Sequence, residues 1–191
     1  MSEWDKVVDF HGHACCILAV GYRAALMALE KIKPVQEEEK LVAIAGTLDC
    51  STDAIQVVLR CTAGSRRLLI REQGKYVFTV AREGMAVRLA LKPGILSLYG
   101  EDFALLMEKV ANGAASAEER EHFYKIQQPL MERILRAAPE DLFNCSETVM
   151  ELPQAGYNFT PVVCHLCGEE VFSNYAALRE GKYICPECMD N

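Results

Sequence analysis

Apolar positions along the chain switch between two spacings, and the switches mark its elements. Trp4, Val7 and Val8 fall on one side at helical spacing, so residues 1–8 read as a short helical lead-in. The following run is rich in Ala, Leu and Met and has no proline, which predicts a long buried helix over about residues 13–32. Pro34 and the acidic run Glu37-Glu38-Glu39 read as a solvated turn. Residues 41–48 are apolar and partly β-branched, the pattern of a buried strand. The strand gives way to Asp49-Cys50-Ser51-Thr52, where Ser51 or Thr52 caps a second helix. That helix carries Ile55, Val58 and Leu59 on one face and ends at Gly64.

Period-two alternation then takes over. Residues 68–72 lead into a turn at Gln73-Gly74. Tyr76, Phe78 and Val80 alternate up to a second turn at Glu83-Gly84, and Met85, Val87, Leu89 and Leu91 alternate after it. The expectation is a meander of three mutually antiparallel strands, closed by Pro93-Gly94. Helical spacing returns over residues 102–111, with Phe103, Leu106 and Val110, and stops at Asn112-Gly113. Ser116 with Glu119 forms a capping box for a longer helix striped by Phe123, Ile126, Leu130, Ile134 and Leu135, which Pro129 should kink. Residues 148–152 read as one more strand, and Pro153-Gln154-Ala155-Gly156 as a linker. The sum is an α+β core with an antiparallel-rich sheet over residues 1–155 and a small appendage over 156–191.

Composition narrows the class. A net charge of −7 argues against non-specific nucleic-acid binding, which needs basic surface to displace counterions. The charged start Met1-Ser2-Glu3-Trp4-Asp5-Lys6 lacks the apolar core of a secretion signal, and no stretch is long and apolar enough to span a bilayer. Nine cysteines, an odd number, without such a signal suit a reducing cytoplasm, where thiols serve as metal ligands or catalytic groups more often than in disulfides.

The cysteines fall into chemically meaningful places. Cys164-His165-Leu166-Cys167 and Cys185-Pro186-Glu187-Cys188 are two C-x2-C knuckles separated by 17 residues, the donor set of a tetrahedral structural zinc, with His165 a bystander. Near the N-terminus, Asp9-Phe10-His11-Gly12-His13-Ala14-Cys15-Cys16 packs two imidazoles and two thiols just ahead of a helix start, where backbone N–H groups favour thiolates. Such donors suit a transition metal or a reactive thiol. Cys50 has the same setting at the strand-to-helix junction. Asp53 caps that helix, ligates metal or orients a histidine. Arg66 and Arg67, in the one concentration of positive charge, are either a solvated helix end or an anion subsite.

Phe10-His11-Gly12-His13-x-Cys15 followed by Gly21-Tyr22-Arg23-Ala24 resembles the N-terminal signature of the formylmethanofuran dehydrogenase FmdE-like family. Cys50-x-x-Asp53-Ala54-Ile55-Gln56, Cys61-Thr62-x-Gly64 and Gly74-Lys75 match its second block, and the tail resembles the treble-clef finger of many members. Where the family carries Cys-Pro-Gly this chain has Cys15-Cys16-Ile17, which changes the lead into the helix and adds a thiol. The resemblance implies an α+β core, a homodimer and an accessory zinc finger, treble-clef or zinc-ribbon-like. The family's name refers to association with a molybdenum or tungsten enzyme. Three readings follow. In the first, His11, His13, Cys15 and Cys50, with Asp53 nearby, bind a second transition metal or a small anionic ligand, and the protein is an accessory of a redox enzyme. In the second, the chain is itself an enzyme with Cys15 as nucleophile or metal ligand, His11 or His13 as acid/base and Arg66/Arg67 as anion anchor. In the third, the finger docks a partner and the core cysteines are structural.

Overall fold

The structure, a computed structural model, describes residues 1–32, 40–96, 101–152 and 160–189. The turn expected around Pro34 and Glu37–Glu39 and the linker expected at residues 153–156 lie outside them. The chain divides into two compact units, Met1–Leu152 and Pro153–Asn191.

In the first unit, α1 (Glu3–His11) starts at a Ser2/Asp5 capping box and ends at Gly12, whose φ of 91° is left-handed. That break corrects the expected helix start: α2 (Cys16–Ile32) begins at Cys16, not His13, and His13 to Cys15 form the connection. β1 (Val42–Ala45) is shorter than the apolar run around it. α3 (Cys50–Leu59) is capped by Asp49, two residues before Ser51 and three before Thr52, the caps expected from the sequence. The Asp49 carboxylate accepts from the Ser51 N–H at 2.9 Å. The helix stops at Arg60, in left-handed conformation, four residues before Gly64.

The sheet corrects the meander. β2 (Leu68–Ile70) pairs with β1 in parallel, Ala43 opposite Leu68, rather than with the next strand. β1, α3 and β2 thus make a βαβ unit, the connection parallel neighbours require. β3 (Val77–Arg82) lies antiparallel on the other side of β1, and β4 (Met85–Leu91) continues from it as a hairpin through Gly84. α4 (Glu101–Ala111) and α5 (Ala117–Arg136) follow. α5 has the Ser116/Glu119 capping box and continues as one helix through Pro129. A short α6 (Pro139–Leu142) leads to β5 (Phe143–Thr148), antiparallel to β4, so the last core strand ends where residues 148–152 were expected to begin one. The order is β2-β1-β3-β4-β5, an α+β arrangement.

The core lies between α2 and the sheet. Leu18, Val20, Ala24, Ala25 and Met27 of α2 are buried, as are Phe78, Val80, Val87 and Leu89 on alternate positions of β3 and β4. Two further contacts position α2. Gly21 lies against the Ser51 backbone so closely that a Cβ there would sit 2.1 Å from the Ser51 carbonyl oxygen. The Arg23 guanidinium donates to the Leu135 and Ala137 carbonyls at the end of α5, satisfying acceptors the helix leaves open. No helix among the described residues is long and apolar enough to cross a membrane.

In the second unit, β6 (Pro161–Val163) and β7 (Glu170–Phe172) form one hairpin and β8 (Ala177–Arg179) and β9 (Lys182–Ile184) another, with α7 (Pro186–Met189) last.

Candidate metal centre

α1 and α3 bring the first donors together. His11, the last residue of α1, places Nδ1 2.7 Å from Asp53 Oδ2 on the first turn of α3. A carboxylate can only accept, so Nδ1 carries the proton and the Nε2 lone pair is left over. Nε2 is buried and has no protein hydrogen-bond partner. His11, Cys15 and Cys50 each offer a ligand atom, all within 4.8 Å of one another. Since Asp53 occupies Nδ1, Nε2 is the nitrogen available to the two thiols. A carboxylate behind a histidine is the usual outer support of a metal-bound imidazole, fixing its tautomer and its aim.

The connection between α1 and α2 sets the first thiol. Cys15 is only 6% exposed, and its sulfur accepts from the Leu18 N–H at 3.3 Å, as an N-cap side chain would. Donation from the Cys50 thiol, with help from that N–H, holds Cys15 below a thiol's ordinary range. Cys50 is pushed up for the complementary reason: its proton is engaged by Cys15, and burial adds to the effect. Within the pair, the negative charge is favoured on Cys15 and the proton on Cys50. Cys16 is buried beside them, and burial raises it to about 11.

Of the two histidines the sequence offers for this site, His11 is the one grouped with Cys15 and Cys50. The Gly12 turn leaves His13 exposed, its ring 4.5 Å from the His11 ring, and partial desolvation, followed by the neighbouring His11 imidazole, lowers its proton affinity. Asp53 is a partner of His11 rather than a cap of α3, a role taken by Asp49. Arg66 and Arg67 are not brought to the thiols. They follow the C-terminal end of α3, a ten-residue helix about 15 Å long, whereas Cys50 opens it. Arg67 donates to the Arg60 carbonyl at 2.6 Å, a favourable place for a cation.

Beside the cluster lies a cavity of about 390 Å³. His13, Cys15 and Cys50 line it on one side, and Met107, Val110 and Phe123 face them from α4 and α5. Tyr76 also lines it. Burial raises the phenol's proton affinity, and the Asp49 charge beside it does so further. Sequence reasoning missed this wall. Its one readable sign was Gln127, a polar residue next to the apolar stripe of α5, which is 3% exposed and lines the cavity.

In the second unit, Cys164, Cys167, Cys185 and Cys188 place their sulfurs within 4.8 Å of one another. The first knuckle lies between β6 and β7; the second opens at Cys185, directly after β9, and runs into α7, which carries Cys188. Gly168, at φ 77°, turns back so that its N–H reaches the Cys164 carbonyl at 3.0 Å. Backbone N–H groups of Cys167 and Cys185 bring Cys164 down to about 6, and the Cys185 N–H lies 3.4 Å from its sulfur. Four such thiols form a closed donor set with no position left over. His165 is bonded to Lys182 and takes no part.

Among known proteins, a probable S-adenosyl-L-methionine-binding protein of Archaeoglobus fulgidus is 26% identical to this chain over 96% of its length. The chain spans about half, 51%, of that relative. A crystal structure of a tungsten formylmethanofuran dehydrogenase FmdE-like protein from Syntrophus aciditrophicus superposes with a TM-score of 0.63 at 21% identity, covering 97% of this chain and 89% of that one, a likeness of fold. The profile of FmdE, described as molybdenum formylmethanofuran dehydrogenase operon, matches residues 10–144. That span holds His11, Cys15, Cys50 and Asp53 and most of the first unit, and the chain belongs to the FmdE family.

Proposed function

We propose that this chain is a metal-binding accessory of a molybdenum or tungsten formylmethanofuran dehydrogenase-type redox system, with a soft divalent cation held by His11, Cys15 and Cys50. The observation that carries the reading is His11, whose Nδ1 is taken by Asp53 while the buried Nε2, without a partner, is left beside two thiols. An orphaned buried nitrogen is costly unless something ligates it. Two sulfurs and an imidazole select zinc or a similar ion over magnesium or calcium. Cys15, the more acidic thiol, would bind first, Cys50 would lose its proton on binding, and Asp53 would position His11. The tail cysteines would hold zinc in a treble-clef finger whose role is structural. The family resemblance supports a homodimer, and nine free thiols suit a reducing cytoplasm.

The name of the archaeal relative brings a second reading, binding of S-adenosyl-L-methionine, favoured by a match over 96% of this chain. Elemental analysis of protein purified under reductant tests the first. One ion should be found for each cluster, and a Cys15→Ser/Cys50→Ser variant should lose one while keeping the tail ion. Unchanged metal content in that variant would sink the core site. Failure to co-elute with a purified formylmethanofuran dehydrogenase would sink the accessory role.

A further inference from the structure

We propose that the cavity beside Cys15 and Cys50 binds an uncharged, largely apolar small molecule whose one donor atom (an alcohol, carbonyl or thioether) completes the coordination of the core metal. The inference rests on the metal reading above and deepens it. Three protein donors leave a tetrahedral ion one position short, the arrangement of sites that bind an exchangeable ligand rather than of closed structural ones. Both thiols line the cavity, whereas His11 does not, so the open position faces the chamber.

The chamber's size and walls state the rest of the ligand. At about 390 Å³ it holds roughly a dozen water-sized volumes of about 30 Å³. Ile17, Met107, Val110 and Phe123 make it mostly apolar, and a charge placed there would lose hydration for which His13, Tyr76 and Gln127 offer only a few polar contacts. Among the described residues lining it there is no lysine or arginine. Among those described residues the only carboxylate, Asp49, is already engaged. It accepts from the Ser51 N–H and hydroxyl on Oδ1 and from the Thr47 hydroxyl on Oδ2. A divalent ion with two thiolates and a neutral imidazole carries no net charge, so an anion gains no attraction there and meets the Asp49 field. The anionic ligand expected from Arg66 and Arg67 therefore has no counterpart at this site.

The test uses the full chain loaded with Co2+ and titrated with cinnamyl alcohol, with cinnamate, which has nearly the same shape and a charged head, and with S-adenosyl-L-methionine. The four-thiolate tail offers no open position, so a probe-dependent change in the Co2+ absorption spectrum reports the core. The alcohol should change the spectrum and bind at least about tenfold more tightly than cinnamate. Val110→Trp, which fills the chamber, and the milder Ala111→Leu should each weaken that response. Equal or tighter binding of cinnamate or of S-adenosyl-L-methionine, or no spectral response to the alcohol, would overturn the ligand assignment and leave the metal reading standing. Failure of Co2+ to enter the core would overturn both.

Discussion

Replacing Gly21 by alanine probes the contact on which the site depends. A Cβ at Gly21 would stand 2.1 Å from the Ser51 oxygen and 2.7 Å from its carbonyl carbon and Cα, where ordinary contact begins at 3.4 Å. The obstacle is helix backbone, which cannot turn aside like a side chain, so α2 and α3 must separate by about 1.3 Å, the shortfall at the closest atom. Overpacking of this kind costs about 1–3 kcal/mol, and the upper end applies where backbone meets backbone. Alanine returns about 1 kcal/mol of helix propensity in a helix interior. The net is a destabilisation of about 2 kcal/mol, or a fall in Tm of about 4–8 °C for a unit of this size. Trp4 is the sole tryptophan, and its ring lies 5.2 Å from that of Tyr22 on α2, so its fluorescence follows the first unit without interference from the tail. Ser51 adjoins Cys50, so the same separation should loosen the thiol pair and weaken Co2+ uptake by the core but not by the tail. A melting temperature equal to or above that of the wild type would show that propensity outweighs the clash and would refute the reasoning.

Other consequences are as specific. Because the Cys50 thiol and the Leu18 N–H lower Cys15 while burial raises Cys145, the alkylation rate of Cys15 should reach half its plateau at lower pH than that of Cys145. Cys50→Ala should move the Cys15 midpoint upward, and coincident profiles read by peptide mass spectrometry would contradict this. Asp53→Asn removes the carboxylate behind His11 and should weaken core metal binding by about 10–100-fold in a chelator competition; a change under about threefold would deny Asp53 that role. Cys185→Ser should release the tail ion and disorder the hairpins around it while the Trp4 transition stays put, and retention of full tail zinc would exclude Cys185 as a ligand.

What could be read from the sequence was what is encoded locally. The Ser116/Glu119 box and the Gly84 hairpin each need only neighbours a few residues apart, and both lie where the pattern puts them. Pairing of β2 was not legible, because Gln73-Gly74 has hairpin chemistry while the strand's true partner is β1, more than twenty residues upstream. β5 escaped because an edge strand exposed from Asn144 to Thr148 shows no apolar alternation. At the site, Cys15 and Cys50 could be singled out, since each adjoins a helix start. The choice of His11 over His13 turns on the left-handed Gly12 and on how α1 meets α3, neither of which spacing reveals. The wall supplied by α4 and α5 lies more than fifty residues beyond Cys50 and could be found only in three dimensions.

The short first helix has a dynamic consequence. Nine residues make a marginal helix in water, and α1 buries only Val7 completely, against eleven buried positions on α2. Its free energy of opening must therefore lie well below that of the sheet and α2, and its amides should exchange hydrogen sooner than theirs. Each opening would carry His11 away from Asp53 and from both thiols while leaving Cys15 anchored at the head of α2. The lifetime of whatever the three donors hold would then be timed by the fraying of the chain's first eleven residues. The breadth of the cavity mouth would matter less.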